Sequence, residues 1–75
     1  MEISKFVQDF ELLFDEVEPG SITADTVFRD IDEWSSLIAL VVIAMVDEEY
    51  EVKLTGDDIR TSVTVKDLFD KVSVK

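Results

Sequence analysis

Two adjacent serines, Ser35 and Ser36, stand where a loop gives way to the most apolar stretch of the chain. The first turn of a helix leaves its N–H groups unpaired and carries the positive end of the helix dipole, so it accepts an anion such as a phosphate. A serine hydroxyl at that place can cap the helix, or it can be phosphorylated or esterified. The residues by themselves leave both uses open.

Other chemistry is scarce. The chain has no Cys and no His, which excludes disulfides, thiolate catalysis, imidazole bases and the usual zinc ligand sets. Asp30-Ile31-Asp32 opens with the spacing of a calcium loop, but the turn position that requires Gly is Ser35 and the closing position that requires Glu is Val41. That reading fails at both places, and no metal site is expected. Asp57-Asp58 and Asp47-Glu48-Glu49 read as solvated helix ends. Gly20 and Gly56 are too far apart to build a phosphate-cradling loop. Carboxylates are abundant, but nothing in the pattern encloses them in a pocket. No catalytic residue is expected, and the chain does not read as an enzyme.

Composition bounds the partners. A chain of 75 residues is expected to form a single domain over residues 1–75 and to be a monomer. Its hydrophobic content of 47% is enough for a core and argues against disorder. Seven cations face 18 acids, for a net charge of −11. Such a surface repels nucleic acid and anionic membranes and attracts basic protein surfaces. The start, Met1-Glu2-Ile3-Ser4, lacks the regions of a signal peptide. The longest apolar run, Leu37 to Val46, is too short to span a bilayer. The expectation is a cytoplasmic protein with no membrane insertion.

The serines need elements to position them. Ile3, Phe6, Val7, Phe10, Leu13, Phe14 and Val17 repeat at helical spacing, which predicts a first helix of about four turns ended by Pro19-Gly20. From Glu18 to Ser35 there is little periodicity. This long acidic loop needs anchors, and Ile22, Val27, Phe28 and Ile31 are the candidates. Ser36 to about Tyr50 reads as a second helix with two apolar stripes. Ala39, Val42, Ile43, Val46 and Tyr50 form one, and Leu37, Leu40, Val41, Ala44 and Met45 the other. Either the helix is surrounded, or the second stripe stays partly exposed for a partner. Thr55-Gly56-Asp57-Asp58 signals a short helix, with Ile59 pointing inward. Thr64-Val65-Lys66-Asp67 signals a last one, with Val65, Leu68, Phe69 and Val72 on its apolar face. Phe6, Phe10, Leu13, Val42, Ile43, Val46, Ile59, Val65, Leu68 and Phe69 are expected to share one core.

This order of parts resembles an acyl carrier protein over essentially the whole chain. Ser36-Leu37 is similar to the Ser-Leu of the family's Asp-Ser-Leu motif. Asp47-Glu48-Glu49-Tyr50 resembles the Glu-Glu-x-Phe that closes its second helix. Leu54 with Asp57-Asp58-Ile59 resembles its short third helix, and Thr64-Val65-Lys66-Asp67-Leu68 its Thr-Val-x-Asp start of the fourth. The fold implied is all-α, a four-helix bundle of acyl-carrier-protein type with a short third helix and a long loop between helices 1 and 2.

The resemblance also implies a mechanism. A phosphopantetheinyl transferase would esterify Ser36 with 4′-phosphopantetheine from coenzyme A. The thiol of that covalent arm would carry an acyl or aminoacyl group as a thioester. The carrier would then present it to an acyl-activating ligase, a synthase or an acyltransferase with a basic docking patch. The absence of Cys is no obstacle, because the sulfur comes with the cofactor. The chain departs from the family at three places. Ser35 replaces the Asp before the modified serine, Ile38 and Val41 replace acids early in the second helix, and Trp34 replaces a small or polar residue. Trp34 reads either as a plug against the core or as a partner contact. The expected docking stripe is Leu37, Val41 and Met45, with Asp47 and Glu48 as the remaining acids. Fatty-acid, polyketide-like, envelope or polysaccharide, and aminoacyl pathways all fit. The alternative is a non-covalent acidic helical interaction module that keeps the fold and never takes the arm.

Overall fold

Helix α1, Ile3–Glu11, forms because Ile3, Phe6, Val7 and Phe10 fall on one side of a 3.6-residue repeat, and Phe6 and Phe10 are fully buried. The computed structural model describes residues 2–74. In it α1 has nine residues and stops well short of Pro19-Gly20, where the sequence periodicity places its end. Two carboxylates supply the reason. After Glu11 the backbone tightens, with Leu13 N–H donating to the Phe10 carbonyl and Phe14 N–H to the Glu11 carbonyl, each at 3.1 Å. The next amides, of Asp15 and Glu16, donate to the Glu33 carboxylate at 3.2 and 3.1 Å. The Glu11 carboxylate in turn accepts the Gly20 and Ile22 amides. Leu13, Phe14 and Val17 still pack on the core, but from irregular chain.

The long connection to α2 is an ordered strap. Ile22 and Phe28 are buried in the core, and Phe28 opens a single 3₁₀ turn, Phe28–Asp30. Ile31 packs at the core edge. Val27 forms an isolated antiparallel bridge with Thr64. Beside it the Thr26 and Ala24 carbonyls accept the Val65 and Lys66 amides at 3.1 and 2.9 Å. Those amides open helix α4, Val65–Val74, and would otherwise lack a partner. Arg29 reaches the other way. Its guanidinium donates to the carbonyls of Ile59, Arg60 and Ser62 at 2.6–2.9 Å. It thereby closes the end of the short helix α3, Gly56–Arg60. Trp34 lies on Phe28 and Phe10, with ring centroids 4.7 and 6.5 Å apart, so it is the plug of the strap.

Local capping sets the two later helix starts as the sequence predicts. Thr55 Oγ1 accepts the Asp58 amide while Asp58 accepts the Thr55 amide. Thr64 and Asp67 repeat the exchange at α4, where Asp67 Oδ2 also takes the Val63 amide. Helix α2, Ser36–Tyr50, has 15 residues and turns Val42, Met45 and Val46 into the core. Of the ten expected core residues, Leu13, Ile43 and Phe69 are only partly buried, and the others are buried. The result is a small all-α bundle of four helices. No helix among the described residues is long and apolar enough to cross a membrane.

Candidate functional site

Ser35 is the N-cap of α2. Its backbone is extended (φ −156°, ψ 172°), its Oγ accepts the Ile38 amide at 3.3 Å, and its carbonyl accepts the Ala39 amide at 3.0 Å. Ser36 is the first helical residue, and both serines are exposed. The division of labour follows from geometry. The Ser35 hydroxyl is spent on the cap. The Ser36 side chain points outward from the first turn, with no acid in that turn to compete for its dipole. The nearest preceding carboxylate, Glu33, is turned away toward the amides of Asp15 and Glu16. An anionic group esterified to Ser36 would meet a positive helix end rather than a carboxylate.

From the serine an apolar strip runs along the outer face of α2. Leu37 is 68% exposed, Leu40 63% and Val41 36%. Met45 departs from the expected docking stripe. It is only 9% exposed and belongs to the core. The cause is helix geometry: Met45 lies three residues after the fully buried Val42, one turn along the same inner side of the helix. Met45 instead floors a shallow groove of about 320 Å³, walled by Leu12, Leu13, Val41 and Ala44 and rimmed by Glu48 and Glu49. Leu12, 80% exposed, is a contributor that helical periodicity passed over, because it sits off the inner face of α1. The only signal for it was its apolar type next to an acidic face.

The two expected docking acids differ. Asp47 is exposed but paired with Lys53 at 2.9 Å. Such a pair is screened and adds little stability. Glu48 stands exposed at the groove rim. The far end of α2 is tied down. Tyr50 Oη donates to Asp9 Oδ2 at 2.6 Å, and Lys5 Nζ donates to the same oxygen at 2.7 Å. Burial would raise the Asp9 carboxyl, but the bonds from Lys5 and Tyr50 outweigh it and leave its pKa below the ordinary value. Burial, and then the adjacent Asp9 carboxylate, push the Tyr50 phenol up. The hydrogen bond to Asp9 likewise raises Lys5. These three groups anchor α2 to α1.

The residues around the serine end offer a surface and a hydroxyl. Among the described residues no group of His, Cys, Asp and Glu is gathered as a metal site. A hollow of about 540 Å³ lies on α1 between Ile3, Val7 and the Pro19–Ala24 strap, and it does not include the serines. Arg29, Glu11 and Glu33 are the residues that the sequence reading missed. Each acts over a long separation in the chain, so no local pattern marks it. A comparison with protein-family models, with curated proteins and with solved structures finds no match.

Proposed function

We propose that this chain is a stand-alone carrier protein that bears 4′-phosphopantetheine on Ser36 and presents an acyl or aminoacyl thioester to other enzymes. The observation that carries the reading is an exposed Ser36 in the first turn of α2, with the Ser35 hydroxyl already taken by the cap and no carboxylate in that turn. The four motif likenesses in chain order support it from the sequence side.

The carrier itself catalyses nothing. A transferase attaches the arm by attack of the Ser36 hydroxyl on the pantetheine-side phosphorus of coenzyme A. The serine proton leaves, and the nucleotide half departs as the leaving group. The tether then holds the cargo at high local concentration for each docked enzyme. A charge of −11 steers the carrier to basic patches. Leu37, Leu40 and Val41 are the exposed surface on the serine side of α2 and make the contact, with Glu48 farther along the same helix.

The test separates the two serines. Ser35→Ala and Ser36→Ala are each incubated with a phosphopantetheinyl transferase and coenzyme A, and intact masses are measured. The reading requires one added phosphopantetheine on wild type and on Ser35→Ala, and none on Ser36→Ala. The exposed Leu37–Val41 strip, which needs no arm, favours one other reading: a non-covalent interaction module. Wild type left unmodified by several transferases while its partner still binds would select it.

A further inference from the structure

We propose that residues 12–17 are a two-state segment of α1, and that Glu33 is the latch holding them out of the helix. The sequence of this segment is helical in pattern. Leu13, Phe14 and Val17 continue the spacing of Phe6 and Phe10 without a break, and no Gly or Pro intervenes before Pro19. The structure nevertheless ends α1 at Glu11. In a longer helix the Asp15 and Glu16 amides would bond to the carbonyls of residues 11 and 12. Here both donate to the Glu33 carboxylate, and the Glu11 carbonyl is taken by Phe14 instead. The competition is hydrogen bond for hydrogen bond. Two charge-assisted bonds to one side chain stand against two backbone bonds of an added turn.

The apolar account is nearly balanced too. Phe14 is buried and Leu13 and Val17 pack on the core as the segment stands. Helical continuation keeps the same three residues on the inner face. The same three residues stay on the core side in either form, so the choice falls to the carboxylates: Glu33 at the amides of the segment itself, with Glu11 holding the Gly20 and Ile22 amides beyond it.

Glu33 lies two residues before the Ser35 cap, with Trp34 clamped between. The length of α1 and the start of α2 are therefore one mechanical unit. A basic side chain of a docking protein that captures Glu33 binds the released form better than the latched one, and so lengthens α1. This coupling does not rest on Ser36 being modified, and its test does not use the arm.

Glu33→Ala should raise the helical far-UV circular dichroism signal by about one turn, some 3–4 residues. Hydrogen exchange at the Asp15 and Glu16 amides should slow at the same time, with core amides of α2 unchanged. The double variant Glu33→Ala/Asp15→Pro should lack the gain, because proline at 15 has no N–H and clashes with the carbonyl of residue 11. An unchanged or smaller helical signal, or faster exchange at Asp15 and Glu16, overturns the proposal. Should Glu33→Ala fail to fold, Glu33→Gln reads the same competition with the side chain's shape kept. Its neutral amide has one acceptor oxygen and no charge to hold the Asp15 and Glu16 amides, so part of the same gain in helix is expected, and an unchanged signal overturns the latch.

Discussion

Val41 and Val42 are neighbours of one type on one helix, yet Val42 is fully buried and Val41 is 36% exposed. The inner face of α2 meets Phe6, Phe10, Val65 and Leu68 in a single core. The outer face, from Leu37 through Leu40 to Val41, meets water along most of its length. What differs is the supply of neighbours. The remaining short helices and the strap cover one side of α2, and nothing is left to cover the other. On the proposed carrier function, this exposed strip beside Ser36 is the surface that meets another protein.

The largest test of this contrast places the same charge on each side. Val42→Glu buries a carboxylate without a partner and should abolish the cooperative melt. Val41→Glu should cost about 0.5 kcal/mol or less, as usual at a surface position. Thermal unfolding by circular dichroism reads both. If Val41→Glu also unfolds the protein, the outer strip is core and the docking reading fails.

A smaller effect, of opposite sign, is expected at the end of α2. Glu51 holds a left-handed conformation, φ 55° and ψ 37°, where a side chain is strained. Glu51→Gly should stabilise the protein by about 0.5–1 kcal/mol, or a few degrees in Tm. It should leave binding by the outer strip unchanged. A partner affinity that moves with Glu51 would mean that the two faces are coupled through the helix end.

The smallest effect is a change in the acid limb. The Asp67 carboxylate accepts the Thr64 and Val63 amides, and these bonds hold its pKa below the ordinary value. A depressed folded pKa gives stability that is present above the unfolded value, about 3.9. That stability is lost as pH falls through the folded one. Wild type should therefore melt above Asp67→Asn at neutral pH, with the gap closing only below about pH 4. The α4 start carries Val65 and Leu68 against the inner face of α2, so this loss is felt by the buried side of the comparison. A gap that closes above pH 5 would show that another group controls it.

Some of this molecule is written in short stretches of its sequence. The starts of α3 and α4 are legible in Thr55-x-x-Asp58 and Thr64-x-x-Asp67, because a capping exchange is complete within one turn of chain. A serine cap at the start of α2 is legible for the same reason, although the structure alone assigns it to Ser35 rather than Ser36, and the inner face of α1 follows from periodicity alone. The pinning of the strap by Ile22 and Phe28 was likewise readable, since apolar residues in an acidic loop have little else to do. Three features were decided by tertiary structure. α1 ends at Glu11 because a carboxylate from residue 33 takes the amides of residues 15 and 16. α3 is closed by Arg29, about thirty residues away in the chain. Met45 goes inward while Val41 stays out, although both lay on one expected stripe. An amphipathic helix names its own buried face, but α2 is apolar nearly all round, so only the neighbours that arrive can choose which side faces water.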